Sequence, residues 1–240
     1  RFHLDLAAIE KALTFKTRVL LINSPNNPSG AVYTSAELEA LGDLLQRASA
    51  RFGRRIYLVS DEPYRRIAYD VAVPSVFEAY PHAVVVNSFS KELSLAGERI
   101  GYLAVHPEAQ DAAQILAAAA AINSMSVVNA PSLFQRVVAT VPGAGVDVSA
   151  YRRRRDRMCA VLAEAGYEFV RPEGAFYLFP KSPIADDVRF TRLLKEERIL
   201  VSPGRAFGAP GYFRISYAVP EAVITGSLEG FRRTLEKALG

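Results

Sequence analysis

Short apolar runs recur along the chain, and each is closed abruptly by polar residues. Val19–Ile22, Ile56–Val59 and Ala83–Val86 are the clearest, and a fourth run, Ile100–Val105, follows closely. The first three, short, rich in β-branched residues and bounded by turn chemistry, predict buried strands of a parallel sheet. Between them the apolar positions switch to helical spacing. Leu6, Ile9 and Leu13 share one face of Leu4–Leu13. Leu38, Leu41, Leu45 and Ala48 form the stripe of a helix capped by Thr34, with Glu37 completing a capping box and the end near Phe52-Gly53. Further on, 110–123, 131–141, 151–166, 190–197 and 220–239 predict helices, and 167–170, 175–179, 200–202 and the alternating 212–217 predict short strands. Pro142-Gly143-Ala144-Gly145 is the best candidate boundary, dividing a larger domain, 1–142, from a smaller one, 143–240. The alternation of strand and helix predicts an α/β fold with a mostly parallel sheet, followed by a smaller α+β domain.

The residues that close the three runs carry the chemistry. The first ends in Asn23-Ser24-Pro25-Asn26-Asn27-Pro28-Ser29-Gly30, the second in Ser60-Asp61-Glu62-Pro63-Tyr64, and the third in Asn87-Ser88-Phe89-Ser90-Lys91, with Arg99 eight residues beyond. In an open α/β sheet, ligands bind outside the carboxyl ends of the strands. Taken singly, a loop asparagine, a turn aspartate and a solvated lysine are ordinary. A carboxylate at the mouth of a buried strand is nonetheless expensive unless a cation meets it. Three such mouths in succession predict polar groups converging on one edge.

Composition narrows the classes. Half of the 240 residues are hydrophobic and the net charge is +4 with no dominant basic block, so a core is assured and nucleic-acid binding is not implied. The longest apolar stretch, Ala112–Ile122, is too short to span a bilayer. The one cysteine, Cys159, excludes an intrachain disulfide and fits a reducing cytoplasm. The run Tyr151–Arg157 resembles an anion site, but it predicts a solvated helix face.

Ser88-Phe89-Ser90-Lys91 followed by Gly97-Glu98-Arg99-Ile100-Gly101 resembles the lysine segment of class I/II aminotransferases, the fold-type-I enzymes that use pyridoxal 5′-phosphate (PLP). Asn27-Pro28-Ser29-Gly30 resembles their Asn-Pro-x-Gly loop, Asp61-Glu62-Pro63-Tyr64 their Asp-x-x-Tyr motif, Glu173–Tyr177 their pocket-lining strand, and Arg214-Ile215-Ser216 their Arg-Ile-Ser segment. The resemblance implies a PLP-dependent aminotransferase acting on an α-amino acid and a 2-oxo acid. Lys91 would hold PLP as a Schiff base and shuttle a proton. Asp61 would bond the ring nitrogen, and Asn27 and Tyr64 the phenolic oxygen. Ser88, Ser90 and Arg99 would hold the phosphate, and Arg214, beside Asn27, the substrate carboxylate. It also implies a homodimer, with no metal, nucleic-acid or membrane partner. Ser124-Met125-Ser126 lies near where dicarboxylate-specific relatives often carry an arginine, and this chain has none there. The resemblance begins partway into the family's chain. The family's upstream third, with its glycine-rich phosphate loop and stacking aromatic, has no counterpart before Arg1. The shared motifs also fit a C–S lyase-like enzyme of the same fold or a non-catalytic regulatory module.

Overall fold

The computed structural model describes residues 2–240. The chain runs through α1 (Leu6–Ala12), β1 (Val19–Asn23), α2 (Ser35–Phe52), β2 (Tyr57–Asp61), α3 (Val76–Ala79), β3 (Ala83–Ser88), α4 (Phe89–Glu92) and β4 (Gly101–Val105). It continues through α5 (Ala112–Ser126), α6 (Ser132–Thr140), α7 (Val148–Glu164), β5 (Tyr177–Leu178), α8 (Asp187–Glu196), β6 (Ser202–Pro203), β7 (Phe213–Ser216), α9 (Glu221–Gly226) and α10 (Leu228–Leu239).

The first sheet has the order β1-β2-β3-β4, with β1, β2 and β3 parallel and β4 antiparallel to β3. The expected mostly parallel α/β sheet is therefore present. α2 covers one face of it. The helix starts at the Thr34–Glu37 capping box, ends where Gly53 takes a left-handed conformation, and turns Leu38, Leu41, Leu44 and Leu45 onto Ile22, Leu58 and Val85. The opposite face is less protected. β3 is buried as expected, but Val19 and Leu21 of the edge strand β1 are 51% and 64% exposed, because no element among the described residues packs over them.

A second, smaller sheet has the antiparallel order β5-β7-β6 and lies among α7, α8 and α10. Its core joins Leu162, Phe190, Phe213, Tyr217 and Phe231 to Tyr64, Ile67 and Tyr69, which come from the loop after β2. That loop ties the two cores together.

Several local expectations need correction. Residues 167–170 form no strand; across to the neighbouring segment they make one backbone bond, Lys181 N–H to Glu168 O. The strand expected over 175–179 shrinks to Tyr177–Leu178, since Ala175 is left-handed at φ 57° and Pro180 brings no donor. The final helix is two helices, broken between Gly226 and Leu228. Asn87 and Ser88 belong to β3, and Lys91 to the short helix α4, where a polar turn was expected. Arg155 departs furthest from the solvated face predicted for 151–157. It is 3% exposed, stacks on Tyr69 at 4.6 Å, donates to Asp156 and the Pro172 carbonyl, and forms a longer ion pair with Asp70 at 3.6 Å.

Candidate active site

Register sets the frame. Asn23 lies opposite Asp61, and Asp61 opposite Val86, so the ends of β1, β2 and β3 stand side by side. Asn23 Nδ2 donates to the Asp61 carbonyl at 2.8 Å and to its carboxylate at 3.2 Å. The same side chain accepts the Asn27 amide proton through Oδ1 at 2.6 Å. One strand-end asparagine thus holds both the carboxylate and the loop beyond β1. Asp61 is half-buried and meets no cation among the described residues, and burial raises its carboxyl above the ordinary value.

The loop carrying Asn27 is shaped by its own polar groups. Asn26 Oδ1 accepts from the Ser29 amide and hydroxyl, and the Asn26 carbonyl accepts from Gly30 N–H. Gly30 sits at φ +71°, and a Cβ there would lie 2.3 Å from Pro172 Cβ. Only glycine allows this loop to press against the segment leading to β5.

From Asn27 the site crosses to the second sheet. Arg214 on β7 donates through Nη1 to Asn27 Oδ1 at 2.9 Å and through Nη2 to Ser202 Oγ at 3.4 Å. Its guanidinium lies between the rings of Tyr177 and Phe207, 4.6 Å from each centroid. With its oxygen engaged, the Asn27 side-chain amide keeps a nitrogen that donates to no acceptor among the described residues. Tyr64 meets Tyr177 hydroxyl to hydroxyl at 3.1 Å, and burial first, then that contact, pushes its pKa well up. Phe176 stands edge-on to Tyr64, and the Lys91 ammonium lies 5.9 Å from its ring. Among the described residues the Lys91 amine makes no hydrogen bond or ion pair.

Asn27, Asp61, Tyr64, Lys91 and Arg214 thus form one connected set. Ser88 and Ser90 form a separate pair next to Lys91: Ser88 Oγ donates to Ser90 Oγ at 2.7 Å and accepts from the Ser90 amide, capping α4. Arg99 contacts neither serine; it is exposed, left-handed at φ 51°, and donates to the Ala96 carbonyl. Sequence reasoning missed Asn23, Ser202 and Phe207. For Asn23 a signal existed, since it ends a strand parallel and adjacent to the one ending in Asp61. For Ser202 and Phe207 the sequence offers none.

The fold and the site define an α/β protein with a lysine, a carboxylate and an arginine gathered at the carboxyl edge of its sheet. The family model of aminotransferases of class I and II matches residues 1–230, and the chain belongs to that family. It is 37% identical to the aspartate/prephenate aminotransferase of Thermus thermophilus over 98% of this chain and 60% of that protein. It is 35% identical to the aspartate aminotransferase of Thermotoga maritima over 95% of this chain and 59% of that one. An amino transferase from Eubacterium rectale superposes with a TM-score of 0.95 at 42% identity, covering 98% of this chain and 60% of its own. The fold is therefore the aspartate aminotransferase-like fold type I. The chain spans about three-fifths of the length of these relatives. Among the described residues no helix is long and apolar enough to cross a membrane.

Proposed function

We propose that the protein is a PLP-dependent aminotransferase that moves an amino group between an α-amino acid and a 2-oxo acid. One observation carries the reading: just past the ends of the three parallel strands lie an amine and an amide nitrogen without hydrogen-bond partners among the described residues, at Lys91 and Asn27, beside the Asp61 carboxylate, which Asn23 bonds but no cation meets. These complement the groups of PLP: the amine its aldehyde, the carboxylate its ring nitrogen, and the amide nitrogen with the Tyr64 hydroxyl its phenolic oxygen. The hydroxyls of Ser88 and Ser90 and the Arg99 guanidinium suit its phosphate. When bound, PLP supplies the electron sink that stabilises negative charge at the substrate Cα.

The rest is the protein's work. Lys91 would be the point of attachment, and its freed amine would take the Cα proton of the amino donor and, in the return half of the cycle, supply one to Cα of the acceptor. Asp61, already short of solvent, keeps a proton on the ring nitrogen. The planar fork of Arg214 takes the substrate carboxylate with parallel hydrogen bonds, which an ammonium cannot match. A dicarboxylic amino acid is the first donor to try, given the relatives' names, although Ser124–Ser126 in α5 bring no guanidinium to a distal carboxylate. The two cores support a division near residue 142, and exposed Ile122, Met125 and Leu133 support a homodimer through α5 and α6. A cytoplasmic setting fits the single cysteine, whose burial pushes its thiol up to about 11.

The test is an assay of the gene product with PLP and a panel of amino donors and 2-oxo acceptors. The expected result is one new amino acid formed for each 2-oxo acid released, with no turnover unless an acceptor is present. Ammonia and 2-oxo acid released without an acceptor would mean a lyase and would overturn the reading.

A further inference from the structure

Tyr177 is buried, and among the described residues its hydroxyl has one partner, the hydroxyl of Tyr64 at 3.1 Å. Its ring carries the Arg214 guanidinium at 4.6 Å. A phenylalanine would fill the same space and support Arg214 equally, so the hydroxyl must be explained by what it does to Tyr64. Each of these hydroxyls owns one proton. If Tyr64 spends its proton on Tyr177, it can only accept from whatever lies beyond; if Tyr177 donates, Tyr64 is free to donate outward. The backbone before Tyr177 is held with unusual firmness. Ala175 is left-handed at φ 57°, its carbonyl accepts from Tyr69 at 2.5 Å and Tyr217 at 3.3 Å, and its amide donates to the Ile67 carbonyl at 2.8 Å. A strained non-glycine residue pinned by three bonds is a place where structure has been spent on orientation.

We propose that Tyr177 is a positioning residue: it donates to Tyr64, so that the proton of Tyr64 points at the phenolic oxygen of PLP, while its ring holds Arg214 in place for the substrate carboxylate. This inference rests on the PLP reading given above. It makes one side chain the link between the group that tunes the cofactor and the group that binds the substrate. A donated hydrogen bond makes Tyr64 a stronger donor in turn, by cooperative polarisation. Removing it leaves the phenolic oxygen less stabilised and more basic, and the nitrogen joining Lys91 to PLP then holds its proton to higher pH.

The experiment is a pH titration of the visible absorption of the PLP-loaded gene product, with propionate as a probe of the guanidinium alone. Tyr177→Phe is expected to raise the titration midpoint by about half a pH unit and to leave the propionate dissociation constant within about twofold. Tyr177→Leu is expected to raise the midpoint equally and to weaken propionate roughly five-fold, through loss of the cation–π contact. Circular dichroism of both variants checks that they remain folded. A midpoint unmoved in Tyr177→Phe would overturn the hydroxyl role. Equal propionate affinity in both variants, or no propionate binding by the wild type, would overturn the role toward Arg214. Absence of any lysine-bound PLP band in the wild type would instead overturn the cofactor reading itself, and this inference with it.

Discussion

The carboxylate of Asp61 is half-buried at the end of β2, is bonded by Asn23 and meets no cation among the described residues. Its folded-state pKa is raised by burial above the ordinary 3.8, so the charged form is disfavoured in the folded chain. The sign follows by linkage: Asp61 weakens the cofactor-free protein increasingly as pH rises above 3.8, up to its folded pKa, and constantly beyond it. Asp61→Asn should therefore raise the melting temperature of cofactor-free protein at neutral pH by about 1–2 °C. The same variant should lower turnover at least ~100-fold, because a neutral amide cannot hold the ring nitrogen protonated. Calorimetry and an activity assay on one preparation check both. A variant that is less stable, or fully active, would contradict the role given to Asp61. Arg214→Lys keeps the charge but loses the fork and the bond to Asn27, so affinity for all amino donors should fall together. A loss confined to one donor, seen in KM across a donor panel, would mean that Arg214 reads the side chain.

At the scale of elements, α7 and the β2–β3 connection carry the surprises. Arg155 is buried within a run of arginines, stacked on Tyr69, while its neighbour Arg153 is exposed. Arg155→Ala should cost about 2–3 kcal/mol through lost packing and hydrogen bonds, and Arg153→Ala no more than about 0.5. Denaturant unfolding separates them, and equal costs would contradict the placement. His82, just before β3, packs edge-on to Tyr57 and Tyr80, and its Nδ1 is buried without a partner among the described residues. Burial first and Arg55 next depress its pKa below 6.5, with His106 adding to that and Asp111 opposing it. A depressed folded pKa gives stability that is complete above about 6.5 and is lost as pH falls through that value toward the folded pKa. The wild type should therefore lose melting temperature faster than His82→Gln on acidification below about 6.5, and parallel curves would contradict this. These same elements show what was legible beforehand. The strand mouths at Asn27, Asp61 and Lys91 could be read because apolar runs ended abruptly in polar residues. The burial of Arg155 could not, since an arginine run looks solvated until Tyr69 is known to lie beneath it. The Tyr64–Tyr177 and Asn27–Arg214 contacts join residues 113 and 187 positions apart, and no local pattern encodes such pairings.

For the whole molecule, surface area is the informative quantity. The chain exposes 12,920 Å², whereas a monomer of 26.3 kDa is expected to expose about 10,600 Å². The excess, roughly a fifth, is well above the ~800 Å² that each partner buries in a standard protein interface. Part of it lies on β1, where Val19 and Leu21 are bare, and part along α5 and α6 at Ile122, Met125 and Leu133. These 240 residues expressed alone should therefore self-associate, as measured by light scattering after size exclusion, and should bind PLP weakly in a spectroscopic titration. A monodisperse monomer with tight PLP binding would contradict that expectation. The central claim, that this is a PLP enzyme working through the lysine of α4, is tested most directly by reductive trapping. The gene product is loaded with PLP, reduced with borohydride, digested and mapped by mass spectrometry. The pyridoxyl group is expected on Lys91; a label on another lysine, or on none, would overturn the assignment.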